Sequence, residues 1–152
     1  MEARLRRGTS ADAEVAADLY LRARHAARAY IPMAVHTDDE VRNWIAEHVM
    51  PHLEVWLAEE PDGTVTGFLV LDEDWVDQLY VEPSRTGLGI GTALLDLAKR
   101  ERPAGLRLWT FESNVGARRF YERHGFSARD RTDGDNEEGA PDILYVWEPT
   151  AG

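Results

Sequence analysis

The sequence contains no cysteine, which excludes disulfide bonds, zinc sites with thiolate ligands, iron–sulfur clusters and a cysteine nucleophile. It also lacks any apolar run near the roughly 20 residues that span a bilayer. The N-terminal segment 1–8 has no apolar stretch typical of a secretory signal. We therefore expect a cytoplasmic protein that does not insert into a membrane.

Positive charge is scarce: 17 Lys and Arg face 28 Asp and Glu, so the formal net charge is −11. Such a surface repels phosphate backbones and anionic lipids, and we expect no nucleic-acid partner. The 152 residues, of which 43% are hydrophobic, match the size and composition of one globular domain spanning 1–152.

Hydrophobic periodicity and turn residues predict the element order β-α-α-β-β-β-α-β-α-β-β. The predicted strands are 3–7, 54–59, 64–71, 75–81, 106–112, 126–129 and 143–147. The predicted helices are 13–30, a second from the Thr37–Glu40 capping box to about 49, where Pro51 stops it, 92–102 and 114–124. An acidic loop covers 130–142. This order indicates an α+β, or mixed α/β, fold around one sheet.

A glycine-rich loop, Gly87-Leu88-Gly89-Ile90-Gly91, lies between a predicted strand and a predicted helix. Glycines let the backbone approach a ligand, and the first turn of a helix offers unpaired N–H groups and the positive end of the dipole. The loop therefore suits an anion such as pyrophosphate. It fits neither the dinucleotide fingerprint nor the Walker loop. Taken alone, it is equally compatible with a tight turn that binds nothing.

A second motif follows about twenty residues later: Asn114, then Ala117-Arg118-Arg119-Phe120-Tyr121-Glu122-Arg123-His124-Gly125-Phe126. With both motifs at this separation, the region 79–126 resembles the GNAT superfamily of acyl-CoA N-acyltransferases. The resemblance implies a mostly antiparallel twisted sheet of about six or seven strands, flanked by about four helices. A splayed pair of strands would form the coenzyme cleft. It also implies acetyl-CoA as co-substrate and no metal.

The resemblance assigns coenzyme-binding residues to three places. The pantetheine arm would pair with the backbone of Leu79, Tyr80 and Val81. The pyrophosphate would bind the amides of Gly87, Leu88, Gly89, Ile90, Gly91 and Thr92. Asn114 would contact the coenzyme arm, serve as a helix N-cap, or do both. The sequence departs from the family where Thr86 stands in place of an Arg or Gln, with Arg85 one position earlier.

Tyr121 corresponds to the family's general acid, which protonates the departing thiolate. The alternative is a tyrosine that only packs on an amphipathic helix. A general base is harder to assign, because Trp109 stands where some members carry a glutamate. Asp77 is the nearest candidate, with Trp75 and Leu79 as its alternation partners. The alternatives are a solvated carboxylate at Asp77 and deprotonation through water.

The resemblance implies direct transfer of an acetyl group to a primary amine of a small molecule or peptide in a ternary complex. The first two helices and the last hairpin would form the acceptor site. Its candidate residues are Tyr20, His25, Tyr30, Trp44 and the loop 133–138, which could also be a solvated turn. A non-catalytic acyl-CoA sensor with the same fold is the alternative function. A homodimer is compatible with the resemblance.

Overall fold

Seven strands form one mixed sheet in the computed structural model, which describes residues 3–149. The strands are β1 (Arg4–Arg7), β2 (Glu54–Glu59), β3 (Val65–Asp72), β4 (Trp75–Val81), β5 (Leu106–Phe111), β6 (Ser127–Thr132) and β7 (Asp142–Trp147). Their order in the sheet is β1-β2-β3-β4-β5-β7-β6. All neighbours are antiparallel except β4 and β5. The predicted α+β fold and the order of the elements are confirmed.

The α-helices are α1 (Ala13–Ala26), α2 (Asp38–Trp44), α3 (Met50–His52), α4 (Ile90–Glu101) and α5 (Val115–Arg123). Short 3₁₀ turns cover Ser10–Asp12 and Pro83–Arg85. The predicted capping box opens α2: Glu40 N–H donates to Thr37 Oγ1 at 3.2 Å, and Thr37 N–H donates to the Glu40 carboxylate at 3.0 Å. No helix within 3–149 has the length and apolar character needed to cross a bilayer.

Two predicted helix ends are wrong. The first helix ends at Ala26, and turns replace it up to Tyr30. The second helix passes Pro51, because a π-helical turn at Ile45–Val49 joins α2 to α3. Proline lacks an N–H and its ring collides with the carbonyl four residues earlier in a regular α-helix. The wider turn before Pro51 therefore allows the helix to continue to His52.

Strand β6 is longer than predicted and runs to Thr132, so the loop before β7 is shortened to 133–141. The side chains from Ser127 to Arg131 are exposed. An edge strand without a buried face shows no apolar alternation, so the sequence pattern did not predict the part of the strand beyond Arg129.

Strand β3 is buried on both faces, and only Asp72 at its end is exposed. One face packs against α1, α2 and the π-helical turn through a cluster that includes Leu19, Ile45 and Phe68. The other face packs against α4, where Leu94 and Leu95 are fully buried. The sheet thereby fixes the first turn of α4 beside the end of β4.

Gly67 in β3 allows α4 to approach the sheet closely. A Cβ at this position would lie 2.7 Å from Leu94 Cδ1 and 2.9 Å from Ile90 Cγ2. We expect Gly67→Ala to lower the free energy of unfolding by about 1–3 kcal/mol through overpacking. The matched control is Gly116→Ala, whose new Cβ meets nothing within 4 Å inside helix α5. That control is expected to stabilise the fold by up to about 1 kcal/mol. Denaturant unfolding measures both, and equal effects would contradict the packing argument.

Candidate active site

A cleft opens in the middle of the sheet, where β4 and β5 separate. The two strands pair at a single register position, Trp75 with Arg107, and then diverge. A cavity of about 1110 Å³ occupies the gap and extends under α1 and α2. Its wall includes both strands, Asn114 and Tyr121 from the α5 region, and the loop before β7. The splayed strand pair expected from the sequence is therefore present.

A β-bulge in β4 shapes one wall of this cleft. Gln78 pairs with Val70, whereas Val76 pairs with Leu71, so Asp77 is the extra residue between them. A bulge re-aims the side chain that it carries. The bulge at Asp77 also means that Trp75, Asp77 and Leu79 do not all point to the same face of the sheet, as strict alternation would require. Leu79 packs against the cluster under α4, while Asp77 lines the cleft.

Backbone groups of β4 face the gap between the strands. Glu82 N–H donates to the Thr66 carbonyl at 2.8 Å, which fixes the phase of the β3–β4 ladder. Hydrogen bonding alternates along an antiparallel pair. Tyr80 therefore pairs its backbone with Phe68, while Leu79 and Val81 turn their N–H and C=O groups toward β5. Of the three residues expected to bind a pantetheine arm, two thus turn backbone groups toward the gap between the strands, and of these two Leu79 lines the cavity.

The Asp77 carboxylate has an environment that suits a base. Its side chain is exposed in the cleft, and partial desolvation by the cleft walls raises its pKa above the ordinary value. The nearby carboxylate of Asp72 raises the pKa further. A raised pKa makes a carboxylate a stronger proton acceptor.

Tyr121 is partly buried and lines the cleft. Its ring packs edge-on against Phe120 and Phe126, with centroid distances of 5.3 and 5.6 Å. Burial raises the pKa of the phenol, and Tyr80 adds to the shift. Its hydroxyl has no hydrogen-bond partner within residues 3–149. Tyr121 is therefore a protonated phenol with its proton available to a ligand.

The glycine loop lies beside the cleft and outside the wall of its cavity. Gly87 and Gly89 have φ of 80° and 87°, and α4 begins at Ile90 with Gly89 as N-cap. The N–H groups of Gly89, Ile90, Gly91 and Thr92 have no acceptor in the described part of the chain. A Cβ at Gly87 or Gly89 would meet nothing within 4 Å, so the space above the loop is open. Four free amides at the start of a helix, beside open space, fit an anionic group.

Two flanking residues have defined partners. Asn114 caps α5 by accepting the Ala117 N–H at 3.3 Å, and it also lines the cleft. Arg85 pairs with Glu60 at 2.7 Å and is therefore engaged away from the loop. This engagement leaves the backbone amides as the unpaired donors of the loop.

The far end of the cleft is built from α1, α2 and the loop before β7. Of the residues expected at an acceptor site, the cavity wall includes Tyr20, Trp44 and 135–138, but not His25 or Tyr30. His36 contacts Glu137 across the mouth, which joins the α1–α2 connection to this loop. The sequence analysis missed Arg24, which lies one helical turn after Tyr20 and also lines the cavity. The sequence signal that could have identified it is the spacing of four residues, which places the Arg24 cation on the same face of α1 as Tyr20.

The described residues 3–149 contain no group of three or more His, Asp or Glu side chains placed to hold a metal ion.

Residues 51–128, just over half of the chain, match the acetyltransferase (GNAT) domain. Among curated proteins, the peptidyl-lysine N-acetyltransferase YjaB of Salmonella typhimurium is 31% identical over 87 residues. That alignment covers 57% of this chain and 59% of the Salmonella protein. The chain thus spans less than two thirds of the curated relatives it matches.

Solved structures with the same fold include the apo form of YjaB from Escherichia coli, with a TM-score of 0.80 and 22% identity over 97% of this chain and 98% of that one. The PaiA N-acetyltransferase of Thermoplasma acidophilum, solved in complex with coenzyme A, has a TM-score of 0.71 and 17% identity, covering 98% and 100% of the two chains. The domain match and the splayed sheet together show that this chain belongs to the GNAT acetyltransferase family.

Proposed function

We propose that residues 1–152 act as one acyltransferase domain in the cytoplasm. The domain transfers an acetyl group from acetyl-CoA to a primary amine of a small molecule or peptide. One observation carries this proposal: the divergence of β4 and β5 puts free backbone groups, Asp77 and Tyr121 on one cleft. The name of the Salmonella relative supports an amine acceptor, and the coenzyme A complex of PaiA supports the coenzyme.

The residues present fit coenzyme A. The free amides from Gly89 to Thr92 would hold the pyrophosphate, and the backbone of Leu79 and Val81 would hold the pantetheine arm. Asn114 lines the same cleft and would contact that arm while it caps α5.

Acetyl-CoA supplies a thioester whose carbonyl carbon the amine attacks. Asp77 takes the proton that the amine must lose, directly or through water. The N–H group of Leu79, which lines the cavity, stabilises the negative charge that develops on the carbonyl oxygen. As the carbon–sulfur bond breaks, Tyr121 gives its proton to the departing thiolate and later recovers one from solvent. No covalent bond to the protein is needed.

The direct test is release of free thiol from acetyl-CoA across a panel of primary amines, combined with thermal shift. We expect acetyl-CoA to raise the melting temperature and at least one amine to release thiol in proportion to acetylated product. Stabilisation without turnover on any amine would instead favour the acyl-CoA sensor. If acetyl-CoA neither raises the melting temperature nor releases thiol with any amine, a coenzyme role is contradicted.

Asp77→Asn separates catalysis from stability. Because the pKa of Asp77 is raised, the folded state binds its proton more tightly than the unfolded chain does. This shift disfavours the folded state once pH exceeds the unfolded pKa, and the penalty disappears as pH falls. We expect Asp77→Asn to keep or raise the melting temperature at pH 7 and to lower kcat/KM. The acidic limb of the pH profile in the unsubstituted protein, where activity falls as Asp77 protonates, should be absent from the variant.

Asp74→Asn is the control, because Asp74 pairs with Arg107 at 3.0 Å and lies outside the cavity wall. An unchanged kcat/KM and acidic limb in Asp77→Asn would remove Asp77 from the role of base.

A further inference from the structure

Arg24 occupies a distinctive position at the acceptor end of the cleft. It lines the main cavity and also a second cavity of about 280 Å³ that opens beside it under the α1–α2 connection. It is the only Lys or Arg in the described wall of the main cavity. Its guanidinium lies 5.9 Å from the centroid of the Tyr20 ring, which orients it from one side.

Arg24 differs from its neighbours in having no counter-ion. Arg22 pairs with Glu82 at 2.6 Å, and Arg42 pairs with Asp18 at 2.7 Å. Within residues 3–149, no carboxylate forms an ion pair with Arg24. Its side chain is partly buried, and that desolvation opposes its charge, while Tyr80, Tyr20 and Glu138 outweigh the effect and raise its pKa. Arg24 is therefore a partly desolvated cation that stays charged.

A partly buried cation without an ion partner is unfavourable, and a ligand that carries the missing negative charge relieves this. The planar guanidinium matches a carboxylate, which it can bind through two parallel hydrogen bonds. The other ionisable side chains of the wall are mostly carboxylates, among them Glu40, Asp77, Glu137 and Glu138. Those carboxylates disfavour a ligand of net negative charge and favour one that also carries an ammonium group.

We propose that the acceptor is an amino acid, whose carboxylate binds Arg24 while its amine lies toward the cleft between β4 and β5. This inference rests on the proposed acetyl transfer and specifies its acceptor. Arg24 is then the residue that determines specificity for a carboxylate. Tyr20 and Trp44, whose rings meet edge-on at 6.0 Å, provide an apolar wall for the side chain of the amino acid.

The test compares amino acids with the amines that lack only the carboxylate: L-lysine with cadaverine, L-phenylalanine with phenethylamine, and L-leucine with isoamylamine. Binding is measured by calorimetry on protein saturated with coenzyme A. We expect at least one amino acid to bind about tenfold or more tightly than its partner amine. Arg24→Gln should abolish this preference, and Arg24→Lys should restore part of it. Arg100→Gln, which removes the same charge at an exposed position on α4, should leave it intact.

The proposal is overturned if no amino acid binds more tightly than its amine, or if the preference survives in Arg24→Gln. A lysine-containing peptide blocked at its carboxyl end that outcompetes every free amino acid would also overturn it. Thermal melting verifies that each variant is folded. If Arg24→Gln does not fold, Arg24→Lys alone tests the proposal, and a preference equal to that of the unsubstituted protein would then count against it. Thiol release from acetyl-CoA, measured with the same panel, separates the two proposals. If thiol release is equal for amino acids and their partner amines, only this inference is contradicted. If amino acids bind in an Arg24-dependent way but no thiol is released, only the proposed acetyl transfer is contradicted.

Discussion

Tyr121→Phe should lower kcat by on the order of 100-fold or more while leaving the Kd for acetyl-CoA unchanged. The substitution removes only the hydroxyl that protonates the thiolate. The ring keeps its contacts with Phe120 and Phe126. Because the hydroxyl has no protein partner within residues 3–149, its removal leaves no buried group unpaired, and the melting temperature should not fall. Steady-state kinetics, calorimetry and thermal melting measure these three quantities.

Tyr145→Phe is the matched control. Tyr145 is fully buried outside the cavity wall, donates its hydroxyl to Glu122 at 2.7 Å and accepts from Arg118 at 3.2 Å. Losing hydrogen bonds to charged groups should lower the free energy of unfolding by about 1.5–3 kcal/mol and leave kcat nearly unchanged. A kcat that is unaffected by Tyr121→Phe would exclude Tyr121 as the acid.

Leu88→Glu and Leu88→Lys should shift the affinity for acetyl-CoA in opposite directions. Leu88 is 69% exposed and immediately precedes Gly89, the N-cap of α4, so neither substitution disturbs the core. A charge placed a few ångströms from the pyrophosphate changes its binding energy by about 1–2 kcal/mol at low ionic strength. The two variants should therefore differ in Kd by about tenfold or more, with the glutamate variant weaker.

The stability of the Leu88 variants provides the control. A carboxylate near a helix N-terminus stabilises the helix, so Leu88→Glu should melt at the same temperature as the unsubstituted protein or higher. Raising the salt concentration should bring the two Kd values together. Equal Kd values at low salt would show that the coenzyme phosphates bind elsewhere.

Local signals in the sequence predicted much of this structure. The Thr37–Glu40 capping box, the glycine loop between β4 and α4, and Asn114 at the start of α5 each depend on residues close together in the chain. Their geometry is fixed by backbone chemistry within a few residues, so it could be inferred without knowing the rest of the fold. The assigned roles of the loop and Asn114 in binding coenzyme stay predictions.

Features that depend on distant partners were not predictable. The bulge at Asp77 arises from the register between β3 and β4, which a period of two cannot reveal. The extension of the helix past Pro51 depends on a π-helical turn without a sequence signature. Arg24 stands out only because the fold places no carboxylate within ion-pair distance of it in residues 3–149, while the neighbouring Arg22 pairs with Glu82, which follows β4. Pairing between elements, rather than periodicity, decides the bulge at Asp77 and the partner of each arginine.

The most direct test of the coenzyme site is a crystal structure of the protein with coenzyme A. It should show the pyrophosphate within hydrogen-bond distance of the amides from Gly89 to Thr92, and the pantetheine arm between β4 and β5 with its sulfur near the Tyr121 hydroxyl. Coenzyme bound elsewhere, with those amides and the gap between the strands left to solvent, would contradict the account.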